Sequence, residues 1–251
     1  MELYLLGTGT CHPAPGRTPP CYYLNAGPER FIIDPGPGAV SRMVEAGVDP
    51  FDVEAILITH LHLDHCADLL PYLFTYKNCV EGPKRDVHIL APLEFRTAFA
   101  KLMDVFGQWV ISDDYRIEIV EMSSDTWEAP GYAIRSLPML HSANAVGFRV
   151  EKPGGPSFAY SGDSGYCQEL LELAAGVDLL LAECSFPEDD AMEGHLSAGE
   201  LAQVAVASGC KRLALTHMTP KVNPAKAVEA VRKGGYRGEV FAGHDGMRIK
   251  F

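Results

Sequence analysis

At 251 residues the chain has room for one large α/β domain or two small ones. Its 47% hydrophobic and 22% charged content describes a globular protein with a sizeable core, and 33 acidic against 21 basic residues leave a formal charge of −12. That balance disfavours a broad phosphate-tracking surface, and the apolar runs are far too short to span a bilayer. The cysteines (11, 21, 66, 79, 167, 184 and 210) are scattered and form no C-x-x-C pair, and "MELYLLGTGT" carries no basic leader. Together these lead us to expect reduced thiols and a cytoplasmic protein.

Strand-like and helical segments alternate along the chain. "LYLLG", "CYYLNA" and "RFIIDP" form an opening meander of strands, and "AVSRMVEAG" comes next as a helix stopped by glycine. "VEAILIT" is a buried strand by its apolar continuity, and "DHCADLLPYLFTY" has helical spacing. After the strand "DVHILA", "PLEFRTAFAKLMDVFG" is expected to start as a helix at proline and stop at glycine.

The second half restarts the pattern. "YAIRSLPM", "AVGFRVE" and "SFAYSG" read as strands and "CQELLELAAG" as a helix. Then come "VDLLLAE", "SAGELAQVAVASG", "KRLALT", "PAKAVEAVRKGG", "GEVFA" and "MRIKF". Strands and then alternating strands and helices, twice over, suit two sheets packed face to face with helices outside, over one domain spanning 1–251.

Open sheets of this kind place chemistry at the carboxyl ends of their strands. Five strand ends deliver ligand-type residues here: His60, His62, Asp64 and His65 after "AILIT", His141 after "RSLPML", Asp163 after "SFAYSG", Glu183 in "VDLLLAE", and His217 after "KRLALT". Imidazole nitrogen and carboxylate oxygen are the usual ligands of zinc, manganese and iron, and this set does not discriminate among the three. His60 and His62 would point apart on a helix but can share an ion from a loop. The spacing suits two neighbouring ions, one held by His60 and His62 and the other by Asp64 and His65. Asp163 can bridge them, leaving His141 and His217 to complete one sphere each. His88, inside "DVHIL", is read as a strand residue, and His244 in "AGHDGM" as either pocket lining or a turn.

"THLHLDH" resembles the T-H-x-H-x-D-H signature of the metallo-β-lactamase superfamily, and the similarity extends over essentially the whole chain. "LYLLGTGT", "FIIDPG", "SGDSG", "LTHMTP" and "AGHDGMRI" resemble the family's first strand, aspartate loop, bridging-aspartate loop, last ligand loop and closing strand. The resemblance implies the four-layer αββα sandwich with a dinuclear site on one edge. It assigns His60, His62 and His141 to one metal and Asp64, His65 and His217 to the other, with Asp163 shared and Asp34 steadying the ligand loop.

"LLLAECSFPEDDAMEGHLSAGE" is similar to a segment of the ribonuclease Z branch, and of the small cyclic phosphodiesterase of phosphonate degradation, in which a histidine is the general acid. Here that histidine is His195, with Glu183 as its partner. "SAGE" has the form of a capping box, Ser197 to Glu200, which would pin the loop carrying His195. The implied protein is a hydrolase with two divalent transition-metal ions, zinc foremost, and a metal-bridged hydroxide attacking a small or single-stranded phosphodiester. Asp64 would ligate a metal and steer the hydroxide proton, and His195 would protonate the leaving oxygen.

Transfer-RNA processing enzymes of the family carry an RNA-holding arm between the equivalents of His141 and Asp163, where this chain has only residues 142–162. Folded RNA is therefore not the expected partner, and a homodimer stays open. Cys11, His12 and Cys21 lack the cysteine spacing of the phosphonate enzyme's extra zinc site and are read as turn or buried residues. A sulfatase, an ester or lactone hydrolase, and a non-hydrolytic cofactor-biosynthesis protein of the same fold are the competing readings.

Overall fold

Strands buried on both faces need apolar residues at consecutive positions, and the chain supplies them in two sets. The computed structural model describes residues 1–129 and 131–251. β1 (Glu2–Gly7), β2 (Cys21–Asn25), β3 (Arg30–Ile33), β4 (Ala55–Leu57), β5 (Val87–Pro92) and β6 (Ile117–Met122) belong to the first sheet. β7 (Thr126–Ala129), β8 (Tyr132–Pro138), β9 (Val146–Glu151), β10 (Ser157–Tyr160), β11 (Leu179–Glu183), β12 (Arg212–Thr216) and β13 (Glu239–Ala242) form the second. β14 (Met247–Lys250) returns to the first sheet beside β1, which gives the orders β14-β1-β2-β3-β4-β5-β6 and β13-β12-β11-β10-β9-β8-β7.

The pleat sorts each strand's side chains between two cores. In β1 and β3, Leu3, Leu5, Phe31 and Ile33 face the second sheet, where they meet Phe148, Phe158 and Tyr160. Tyr4, Leu6 and Ile32 face the other way, onto the helices α1 (Ala39–Glu45), α3 (Leu69–Cys79) and α4 (Phe95–Val110). The second sheet is covered outside by α5 (Gln168–Leu173), α6 (Ala198–Ser208) and α7 (Pro224–Lys233). The result is the four-layer αββα sandwich.

Three local expectations need correction. The helical run after "AILIT" is broken into α2 (Leu63–Cys66) and α3, so the residues of "DHCAD" turn before the long helix begins. Pro92 ends β5 rather than starting α4, which begins at Phe95 and continues through the buried Gly107 to Val110. β6 and β7 were not anticipated. They are the outermost strands of their sheets, only partly buried and interrupted by charge, so they lack the apolar signal of central strands.

The expected cap forms, and a second, at Asn223, joins it. Ser197 accepts from the Glu200 amide while Glu200 returns a bond to the Ser197 backbone, and Asn223 accepts from the Lys226 amide ahead of α7. Such caps contribute about 1 kcal/mol each. Between His141 and Asp163 the chain makes only β9, β10 and their turns. No helix among the described residues is long and apolar enough to cross a membrane.

Candidate metal centre

The parallel strands β3 and β4 end side by side, and the residues just beyond them build the first wall of the site. Asp34 is fully buried at φ 48, a left-handed conformation that Asp tolerates better than most residues. Its carboxylate accepts from the Thr59 amide (2.8 Å), the Thr59 hydroxyl (2.7 Å) and His65 Nδ1–H (2.8 Å). Thr59 Oγ1 therefore has a lone pair left for His60 Nδ1–H at 3.0 Å. Gly36 lets the chain pass here, because a Cβ on it would lie 1.9 Å from the Asp64 carbonyl.

The second sheet supplies the opposite wall. His141 lies beyond β8, with Nδ1–H donated to the Gly194 carbonyl (2.9 Å). Asp163 lies beyond β10, where Gly162 at φ 60 allows close approach to Thr59. His217 comes directly after β12 at φ 52, with Nδ1 2.9 Å from the Ser185 hydroxyl. For His60, His65, His141 and His217 alike, one ring nitrogen is engaged by the protein and the other is free to face inward.

The inward atoms converge in two groups. His60, His62, His141 and Asp163 form one and Asp64, His65 and His217 the other, with ligand atoms within 4.8 Å of each other in each group. His62 Nδ1 lies 3.0 Å from His60 Nε2 and 3.2 Å from His141 Nε2, while His65 and His217 Nε2 are 3.2 Å apart. Asp163 lies between the groups. Its Oδ1 lies 3.5 Å from His65 Nε2 and 3.4 Å from His217 Nδ1, the nitrogen that also meets Ser185, and its Oδ2 faces His60 Nε2 and His141 Nε2, both at 3.8 Å.

This arrangement fits a pair of divalent cations. Asp163 Oδ1 is buried and without a hydrogen-bond partner, an expense that a cation beside it removes. Burial, reinforced by the charge of His65, holds His60 well below its ordinary value, and burial also lowers His141. Both shifts favour the neutral imidazole, the form that binds metal. Burial opposes charge on Asp64, but His217 and His65 outweigh it and hold the carboxyl down to about 2.

His195 and Glu183 stand beside the second group. Glu183, at the end of β11, is fully buried and accepts from the Ser164 amide (2.7 Å), the Ser185 hydroxyl and His195 Nδ1–H (3.0 Å). Burial pushes the Glu183 carboxyl up against the opposing pull of His195, yet its three donors all favour the carboxylate. Burial also works against a charged His195, and the hydrogen bond and charge of Glu183 outweigh it, raising that imidazole above its ordinary value. The donors around Glu183 and the raised His195 both favour the carboxylate–imidazolium form of the pair. A ring nitrogen of His195 comes within 4.8 Å of ligand atoms of Asp163 and His217, with Phe186 against its ring.

The remaining candidates lie elsewhere. His88 sits in β5 between the Glu54 carbonyl (3.2 Å) and Glu118 (3.3 Å). His244 is exposed ahead of the final turn, its Nδ1 3.0 Å from the Asp245 carbonyl. Cys21 is buried in β2, whereas Cys11 and His12 are exposed in the loop after β1. Sequence reasoning had overlooked Ser185, Gly194 and Gly36. Of these, "ECS" beside a ligand-bearing strand end offered a signal for Ser185, while the roles of Gly194 and Gly36 depend on contacts between distant segments.

Residues 29–218 match the beta-lactamase superfamily domain, and the chain belongs to that family. It is a metal-dependent hydrolase with two metal-binding clusters suited to a dinuclear divalent site. Among curated proteins it is 30% identical to the ribonuclease Z of Mycobacterium marinum, over 100% of this chain and 98% of that one. Among solved structures, the metallo-beta-lactamase fold protein YhfI of Bacillus subtilis superimposes with a TM-score of 0.83 at 21% identity, covering 99% of this chain and 98% of the other. Human tRNase Z, short form, gives 0.79 at 22% identity over 100% and 99%. At those identities the two structures speak for the fold alone.

Proposed function

We propose that the protein is a phosphodiesterase acting on a small or short single-stranded phosphodiester, with zinc as the metal and the cytoplasm as its compartment. The observation that carries this reading is the His195–Glu183 pair set against the two ligand groups. An alkoxide leaves a phosphodiester poorly unless it is protonated, and a charged imidazole held in place by a buried carboxylate can supply that proton. The ribonuclease Z relative supports the choice of phosphodiester over lactam or ester.

His60, His62, His141 and Asp163 would hold one ion, and Asp64, His65, His217 and the other oxygen of Asp163 the second. The ions supply Lewis acidity, lowering the pKa of water and neutralising charge on the phosphoryl oxygens. Asp64, depressed to a carboxylate, can accept or steer the proton of the attacking water. His195 donates from Nε2 to the leaving oxygen while its Nδ1–H stays with Glu183.

The segments that flank this site favour a small substrate. The short β9–β10 segment provides no arm, and exposed Glu188, Asp189, Asp190 and Glu193 precede His195. Acidic side chains there, on a chain of charge −12, repel a long polyanion. Metal-replete protein should therefore hydrolyse bis-nitrophenyl phosphate and a cyclic nucleotide faster than nitrophenyl sulfate or a lactone, and process precursor transfer RNA weakly. Faster turnover of the sulfate or the lactone would overturn the phosphodiesterase reading. Efficient cleavage at a transfer-RNA 3′ end would keep the chemistry and overturn the substrate size.

A further inference from the structure

Two hydroxyls stand behind the ligand histidines, and they are wired alike. Thr59 donates to the buried Asp34 and receives His60 Nδ1–H. Ser185, only 1% exposed, lies against the buried Glu183 and against His217 Nδ1. The His217 carbonyl, 2.9 Å away, is a second acceptor within reach of the Ser185 hydroxyl. One hydroxyl has one proton, and a carboxylate is the stronger acceptor. The proton goes to Glu183, so the Ser185 lone pair faces His217 and calls for a proton on Nδ1.

We propose that Ser185 is a positioning residue which fixes His217 with Nδ1 protonated and Nε2 free, and thereby ties the His195–Glu183 pair to the ion held by Asp64, His65 and His217. The inference rests on the metal reading given above. The Ser185 backbone is itself anchored, since Thr219 Oγ1 donates to the Ser185 carbonyl at 2.6 Å. His217 Nδ1 also lies 3.4 Å from Asp163 Oδ1, but its hydrogen bond is to Ser185 at 2.9 Å, and Nε2 points at His65 Nε2 (3.2 Å) and Asp64 Oδ2 (3.6 Å), the members of its own group. The reverse tautomer would aim an N–H into that group and exclude the cation. Ser185 thus lets one buried carboxylate orient both the proton donor and a metal ligand.

The test reads metal retention and needs no substrate, so it can fail or succeed independently of the phosphodiesterase reading. In zinc-loaded Ser185→Ala, one of the two ions should be released at an about 10–100-fold lower chelator concentration, the loss typical when a partner behind a ligand is removed. The other ion should be held as in wild type, and Ser185→Thr, which keeps the hydroxyl, should restore the weaker one. Equal weakening of both ions would mean a general structural role, and no weakening would remove the proposal outright. If the alanine variant does not fold, a long-range proton–nitrogen spectrum of zinc-loaded wild-type protein decides. It should give His217 a protonated Nδ1 and a metal-bound Nε2, and a protonated Nε2 would overturn the assignment.

Discussion

His195→Ala should keep its fold and both metal ions, yet lose about 10²–10⁴-fold in turnover of a diester with an alkoxide leaving group. The fold is expected to survive because the loop is held from either side of His195, through Gly194 to His141 and through the capping box at Ser197. The loss should depend on the leaving group. Nitrophenolate departs without a proton, so bis-nitrophenyl phosphate should be largely spared, and measuring both substrates on one metal-quantified preparation separates proton donation from mere positioning. An equal loss on both would mean that His195 orients substrate. Loss of an ion would make it a ligand, a role that its proximity to Asp163 and His217 keeps in view. Glu183→Gln offers a companion reading. Glu183 raises the His195 value, so protonated His195 persists to higher pH in wild type. Removing the carboxylate lowers that value, and the basic limb of the kcat profile should move to lower pH. An unmoved limb would assign it to another group.

Asp163→Ala should reduce the metal content from two ions per chain to at most one, with activity falling alongside it. Both oxygens are committed, Oδ1 toward His65 and His217 and Oδ2 toward His60 and His141, so the one carboxylate faces both groups at once. Burial opposes charge on Asp163, and the surrounding histidines, His217 and His65 foremost, hold it well below the ordinary carboxylate range. Elemental analysis after exhaustive dialysis checks the count. Two ions retained by the variant would show that Asp163 is not shared, and one ion in wild type would remove the dinuclear arrangement.

The site was legible in the sequence because its ligands sit just past the most apolar strands in the chain. "AILIT" and "KRLALT" can only be central strands, one in each sheet, and residues placed just past central parallel strands gather at the carboxyl-end edge of their sheet, where the two sheets meet around the site. The edge strands β6 and β7 were not legible, since half-exposed, charge-interrupted segments read like loops until a neighbour pairs with them. The supporting polar atoms divide in the same way. Asp34 was visible through "FIIDPG", whereas the contact of the Gly194 carbonyl with His141 joins residues 53 positions apart and has no local signature. Ser185 had a local signal, but its meaning depended on which side of β11 faced His217.

Each ligand group also draws on both sheets. His62 and His141 meet across 79 positions of chain, and His65 and His217 across 152. A bound ion in either group would therefore act as a cross-link between the two halves of the sandwich, closing loops as long as those closed by the most effective disulfides. An ion that binds only the folded chain adds to its stability in proportion to the logarithm of its concentration over its dissociation constant. Stripping the metals should therefore lower the stability of the fold as well as stop the chemistry.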